Sequence, residues 1–422
     1  MLRYAPAVAV GRLVRWVARK RKPGGGAAIP GVVVNRLAPG FLPQVLNSFP
    51  QGLVVVTGTA GKSTTTRMLA AIVSAHGKRV FTNPSTANIA QGLTSAILAQ
   101  STITGRIEAD IAILEMDEGH AAKLSERAPA DVCVLLNVCV DQVDRFFDPQ
   151  LVTGMLSKVA RATTGPVIFN ADDLSIVEAV QTVSTERSVG FGMGSALRST
   201  QLRNMGYVRP ALAVTPPEIC GELSSVDGRR ASLRLDGVDA DVHLPAIGVH
   251  YGVDAVAALT AASRVLGQDY DPVLASRTLS ALDPVFGRGE TLTIRGQEID
   301  MVLIQNPTSF RLNVNSIPAE SDCVMIAVGS DVRDYAYLWP VHLDHLSRLA
   351  IAAGPKAREV AIHALYNDVA VDSVEENLEL ALEAFLALPR PSHGRKTLVF
   401  SADSMRRTRR YFDLAEQGVW ES

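Results

Sequence analysis

Apolar residues along this chain gather into short, dense runs separated by longer stretches with a helical period. Residues 53–56, Leu-Val-Val-Val, are such a run. A glycine-rich turn follows, and residues 62–75 then place Met68, Leu69, Ile72 and Val73 on one side of a helix. Further β-rich runs lie at 111–114, 132–136 and 167–169, with helical stretches between them. Buried strands alternating with helices predict a parallel sheet covered on both faces. Between Gly190 and Val242 the texture changes: Val, Leu and Ser mix with Gly and Pro, and no amphipathic helix is legible. This stretch reads as an irregular or antiparallel insertion.

An Ala-rich helix resumes at 251–266. A second α/β series follows, with strands predicted at 299–304, 323–328 and 397–400. Residues 373–388 predict a helix, with Ser373 and Glu376 as its capping box and Leu378, Ala381, Leu382 and Phe385 as its buried stripe. At the other end, residues 1–22 set seven Arg and Lys between Leu2, Val8, Val10, Leu13, Val14, Trp16 and Val17. The basic residues interrupt the apolar ones, which fits a basic amphipathic helix and not a signal peptide. Such a helix either packs on its own domain or meets a membrane surface. Residues 23–30 are a linker by composition. The expected fold class is α/β, divided into a basic helix and linker at 1–50, a central domain with a parallel sheet at 51–285, and a smaller Rossmann-like α/β domain at 286–422.

Composition narrows the function more than the fold. Nearly half of the 422 residues are apolar, and the formal charge of −2 gives no general pull toward nucleic acid. Cys133, Cys139, Cys220 and Cys323 are scattered without a CxxC pair, so neither a zinc ribbon nor a disulfide framework is indicated, and a reducing cytoplasm is the expected compartment.

The strongest chemical signal is Gly58-Thr59-Ala60-Gly61-Lys62-Ser63-Thr64, set between a strand and a helix. Phosphate oxygens need backbone N–H donors at close range, which favours glycine, and they gain from the positive end of a helix. Lys62, expected to be exposed and to pack against nothing, adds a mobile positive charge; Ser63 or Thr64 offers a hydroxyl to Mg²⁺. The usual P-loop would have its first glycine at position 56, which is Val56 here, so this is a compact variant. Metal-binding carboxylates belong at neighbouring strand ends. Glu115 directly follows a predicted strand and is the favoured ligand; Asp117 and Glu118 also suit a solvated loop, and Asp141 and Asp144 come shortly after the next strand.

These segments, together with Asn137, Asp141-Gln142-Val143-Asp144-Arg145, Asn170-Ala171-Asp172-Asp173 and Phe286-Gly287-Arg288-Gly289-Glu290, resemble the Mur ligase family in order and spacing. Gln142, the basic N-terminus, residues 82–88 and residues 305–308 resemble one branch of it, the ligase-like subunits of lipid II isoglutaminyl synthases. The resemblance implies that Gly58 to Thr64 hold ATP, that Ser63 and Glu115 bind Mg²⁺, that Asn170 and Asp173 lie near the nucleotide, and that Arg288 reaches its phosphates. It implies a carboxylate activated as an acyl phosphate and opened by an amine. In that branch the carboxylate belongs to D-glutamate in a lipid-linked peptidoglycan precursor, and the amine is ammonia from a glutaminase subunit.

Several positions depart from the branch. Cys220 stands alone where a four-cysteine zinc ribbon is usual, so no zinc is expected. Tyr251 and Asp254 occupy two asparagine slots. Pro340 and His342 stand where the ligase subunit usually carries aspartate to complete the glutaminase's Cys-His pair, leaving Asp344 or Asp334 as substitutes. Two alternatives therefore stay open: a derived ligase joining another carboxylate and amine, and a non-catalytic nucleotide-binding subunit.

Overall fold

The computed structural model describes residues 2–21, 28–84, 87–139, 148–201, 205–211, 219–283, 288–304 and 306–414. Strands β1 (Leu53–Thr57), β2 (Val80–Phe81), β3 (Ile111–Glu115), β4 (Val132–Leu135), β5 (Val167–Asn170), β6 (Ser188–Met193), β7 (Ile219–Asp227), β8 (Arg230–Leu235) and β9 (Val238–His243) form one sheet in the order β2-β3-β1-β4-β5-β6-β7-β8-β9. All pair in parallel as far as β7, and β8 and β9 complete the edge as an antiparallel meander. The stretch read as an insertion is thus mainly an extension of the same sheet. Its alternating Leu223, Ala231, Leu233 and Val242 bury one face only, which is why no continuous apolar run marked it.

The parallel strands show the opposite pattern. In β1, Leu53 and Val55 enter one core while Val54 and Val56 enter the other. Ala112 and Leu114 of β3 alternate in the same way with Ile111 and Ile113. Burial on both faces explains the uninterrupted apolar runs. The helix Lys62–Ala75 covers one face with Met68, Leu69, Ile72 and Val73. The other face is covered in part by the N-terminal segment: Tyr4, Val8, Val34, Phe41, Leu42, Val45 and Leu46 share a core with Leu53 and Val55. Residues read as linker and short segment hold two helices, Ile29–Leu37, with Pro30 in its first turn, and Phe41–Leu46.

A second sheet is built from β10 (Arg288–Ile294), β11 (Gln297–Leu303), β12 (Val324–Ala327), β13 (Arg348–Ala353), β14 (Ala370–Glu375) and β15 (Lys396–Phe400), in the order β10-β11-β15-β12-β13-β14. Among the described residues, only the β10–β11 pairing of this sheet is antiparallel.

One predicted helix start is corrected. Ser373 lies in β14, opposite Ile351, and the helix is Leu378–Ala387. Its N-cap is Asn377, whose side chain accepts from the Leu380 N–H at 3.1 Å. The strand takes Ser373 because its backbone groups are claimed by β13, and a sequence pattern cannot register that claim. Asn377→Ala should therefore cost about 1 kcal/mol, whereas Ser373→Ala should stay within about 0.5 kcal/mol, both read from urea unfolding. The reverse ranking would return the cap to Ser373.

Candidate functional site

In the first sheet β1 is central: from it the chain crosses to β2 and β3 on one side and returns to β4 on the other. The carboxyl end of β1 is therefore the topological switch point, where open α/β sheets leave a crevice for ligands. Residues 58–61 occupy it. Gly58 has φ +130° and Gly61 φ +84°, both in the region open to glycine. A Cβ on Gly58 would stand 2.9 Å from the Asn137 nitrogen, so its smallness is needed as well.

Asn137, just past β4, clamps this loop. Its carbonyl accepts from the Thr59 N–H at 2.9 Å and its Oδ1 accepts from the Ala60 N–H at 2.8 Å. Its Nδ2 donates to the Ala60 carbonyl at 3.1 Å. The Thr59 hydroxyl in turn accepts from the Cys139 N–H at 3.1 Å. Two of the amides expected to cradle phosphate are thus engaged within the protein. The donors left for an anion are those at the helix start. The first backbone bond of the turn runs from Thr65 N–H to Gly61 O, and no side chain caps the helix. The amides of Lys62, Ser63 and Thr64 therefore lack intrahelical acceptors and make up the positive end of the helix dipole.

Lys62 was expected to be free, and the structure corrects this. Its side chain is only 15% exposed. Its ammonium donates to the carbonyls of Gly58 at 2.5 Å and Thr59 at 3.1 Å, and stands 3.9 Å from Glu118 Oε1. The stem is long enough to fold back and neutralise the loop's own carbonyl dipoles.

Glu115 ends β3, opposite Val56 of β1, and is buried. Asn83 grips its backbone from both sides: the Glu115 N–H donates to Asn83 Oδ1 at 3.1 Å, and Asn83 Nδ2 donates to the Glu115 carbonyl at 3.0 Å. Asp117 and Glu118 are buried too, so this acidic run is not a solvated loop. Among the described residues no group of three or more His, Cys, Asp or Glu side chains is gathered as a metal cage. A cation here would draw remaining ligands from phosphate and water, as Mg²⁺ does.

Asn170 and Asp173, expected beside a nucleotide, are fully buried one layer behind the loop. Asn170 Nδ2 donates to the Leu136 carbonyl at 2.9 Å and to the Tyr207 hydroxyl at 3.0 Å, and its Oδ1 accepts from Asp172 N–H at 2.9 Å. Asp173 accepts from Val138 N–H at 2.6 Å and caps the helix Leu174–Val180 through Ser175 N–H at 2.9 Å. Both reach the site through residues 136–139 and hold Asn137 in place. Burial pushes the Asp173 carboxyl up to about 6, against the N–H bonds that pull it down. Its contribution to stability is therefore full below about pH 4 and is lost as the pH rises through about 6. Asp254, in the helix Val249–Leu266, packs its carboxylate against Gly61, where a Cβ would come within 2.3 Å of it. Arg288 opens β10, and its side chain lies outside the described residues, as do Asp141, Gln142, Asp144, Phe286 and Gln305.

Residues 56–262 match the Mur ligase middle domain. The chain carries a Mur ligase middle domain over just under half of its length. It is 25% identical over 401 residues to the MurT subunit of the glutamine-hydrolysing lipid II isoglutaminyl synthase of Streptococcus pneumoniae, covering 85% of this chain and 87% of that one. It is 26% identical over 322 residues to the UDP-N-acetylmuramoyl-tripeptide–D-alanyl-D-alanine ligase of Mycobacterium bovis, covering 74% of this chain and 57% of that one. The MurF ligase of Thermotoga maritima, solved in complex with ADP, superposes with a TM-score of 0.63 over 88% of this chain and 81% of that one, at 19% identity.

The clamp by Asn137 and the grip by Asn83 were not legible as roles. A signal did exist: each is an asparagine just beyond a strand that ends beside β1 or β3. Asn137→Ala removes two loop hydrogen bonds worth about 1 kcal/mol each. ATP affinity, measured by calorimetric titration, should fall roughly 10- to 30-fold. An unchanged affinity would show that the loop holds its shape without the clamp.

Proposed function

We propose that this chain, an ATP-dependent carbon–nitrogen ligase of the Mur type, activates a carboxylate as its acyl phosphate and passes it to ammonia. A carboxylate oxygen attacks the γ-phosphorus, the bond to the β-phosphate oxygen breaks, and ADP leaves. The nitrogen of ammonia then attacks the acyl carbon, inorganic phosphate leaves, and the nitrogen loses a proton. The observation that carries the reading is the Lys62–Thr64 helix start, with its amides unclaimed, beside the buried acids Glu115 and Glu118 at the switch point.

In this reading Lys62 exchanges the Gly58 and Thr59 carbonyls for the terminal phosphates, and its charge meets the negative charge of the transferring group. Ser63 and Glu115 would hold Mg²⁺, which supplies charge neutralisation at the phosphates. Arg288, at the start of the second sheet, would approach from the other side. In this reading residues 51–285 are the nucleotide-binding unit and 286–422 the second α/β unit, with the described helices of residues 1–50 packed on the first. The likeness to the pneumococcal MurT subunit along most of both chains supports D-glutamate of the lipid II stem as the carboxylate, and a glutaminase subunit as the ammonia source. The lipid-linked substrate would place the work at the cytoplasmic face of the membrane.

One region favours a second reading for the amine. Pro340, His342 and Asp344 are exposed, and the Pro340 carbonyl accepts from Arg311 at 3.4 Å. His342, Asp344 and His345 line an 870 Å³ cleft between the two sheets, facing Ile247–His250 across it. Asp344 thus borders the cleft between the two sheets, and neither Pro340 nor His342 can orient an imidazole as a carboxylate does. Ammonia or another amine taken directly from solution fits this arrangement.

Two measurements test these readings. Lys62→Ala should abolish ATP hydrolysis and lower stability by about 1 kcal/mol through the lost carbonyl bonds; normal phosphate release would defeat the assignment of the loop. With the cognate glutaminase present, ammonium salt should support product formation on lipid II better than glutamine does. Efficient glutamine-dependent amidation by the unaltered pair would mean that another acid, Asp344 first, completes the partner's Cys-His pair.

A further inference from the structure

The helix Ala5–Arg21 has two different faces. Val8 and Gly11 point inward and are buried, as is Tyr4 in the turn just before the helix. Gly11 is seated closely: a Cβ there would lie 2.5 Å from Val34 Cγ2 and 2.8 Å from Leu98 Cδ1. Arg12 donates to the Ser101 carbonyl, and Arg3 donates to Gln44 Oε1 at 2.9 Å. The helix is therefore fixed on the fold, and its outer face is held in one orientation.

That outer face is apolar. Val10, Leu13, Trp16 and Val17 recur at helical spacing and are exposed, Leu13 by 61% and Trp16 by 57%, with the exposed Leu2 just before the helix. A helix that only packs on its own domain has polar residues there. Charge adds a second, independent observation. The first 107 residues carry 13 Lys and Arg and no Asp or Glu, against 28 and 43 in the remaining 315. Seven of the 13 lie in residues 1–22, including the consecutive run Arg19-Lys20-Arg21-Lys22.

We propose that this outer face docks the protein on an anionic phospholipid surface, with Leu13, Trp16 and Val17 entering the headgroup boundary and the net positive charge of the acid-free N-terminal quarter drawing it to the negative surface. The combination decides the occupant. A nucleic acid would use the cations and gain little from an aliphatic stripe. A partner protein would use the stripe but would not require a quarter of the chain to lack acidic residues. A lipid interface uses both: apolar side chains and tryptophan settle at the acyl boundary, and Lys and Arg gain from the negative surface potential. No helix among the described residues is long and apolar enough to cross a membrane, so contact by this route is peripheral. The inference does not depend on the reaction proposed above.

The test is flotation of the full chain with vesicles of phosphatidylglycerol and phosphatidylcholine, and with vesicles of phosphatidylcholine alone. Binding should be at least about tenfold stronger to the anionic vesicles and should weaken with salt. The Leu13→Glu/Trp16→Glu variant should lose about tenfold or more of that binding, because charge replaces apolar contact, while its ATP affinity stays unchanged. The emission of Trp16, taken as the difference between the wild type and Trp16→Phe, should shift to the blue with anionic vesicles. Equal binding to both vesicle types, full binding by the double variant, or an unshifted Trp16 would overturn the proposal. A wild-type chain that never floats would also overturn it and would assign the stripe to a protein partner.

Discussion

The contact between residues 58–60 and Asn137 is the constraint on which the site depends. A chain leaving a buried strand must reverse direction and begin a helix within four residues. It can do so here because β4 runs beside β1 and delivers an asparagine at the level of the turn. Asn137 satisfies the amides of Thr59 and Ala60, which would otherwise be left in a half-buried crevice. With those two groups settled, the donors at the helix start stay directed outward. Gly58 is required by φ and by the nearness of Asn137 together, so loop conformation and strand pairing are one condition.

Buried acids extend this condition through the sheet. Asp173 fastens residue 138 to the start of the helix Leu174–Val180, and its neighbour Asp172 accepts from Met193 N–H at 2.7 Å and pairs with Arg198 at 2.6 Å. Burial raises the Asp172 carboxyl, while Arg198 and the Met193 amide oppose that rise. Charges removed from water are costly unless fully hydrogen-bonded, and losing one partner leaves the other exposed to the whole penalty. The turn Asn170–Asp173 thus ties β4, β5 and β6 together behind the loop. The family resemblance points to this turn for its place near the nucleotide, and the bonds it makes are those of a support.

The N-terminal segment shows how packing and surface chemistry coexist on one element. Its inner residues complete a core that the sheet would otherwise leave open, with Phe41 stacked edge-on against Tyr4 at 5.6 Å. Its outer residues add nothing to that core. The same helix can therefore carry stability on one side and recognition on the other.

How much of this was legible follows from range. Residues 53–56 and 111–114 announced strands because burial on both faces leaves an unbroken apolar run, and residues 58–64 announced an anion site because glycine, lysine and hydroxyl side chains suit phosphate at that spacing. These are local facts, decided by residue type and period. The meander β7–β9 stayed hidden because one face is solvated and its alternation is diluted by Ser, Arg and Asp. Ser373 was misread because the competing claim on its backbone comes from β13, more than twenty residues away. Lys62 looked free because its partners, the carbonyls of Gly58 and Thr59, turn toward it only once the loop has closed. The sequence by itself determined the α/β class, the phosphate-binding turn and the candidate acids. Tertiary structure alone decided which amides stay unclaimed, which carboxylates are buried and which face of the first helix meets solvent, because each of these is set by atoms distant in the chain that folding brings within hydrogen-bond or van der Waals reach.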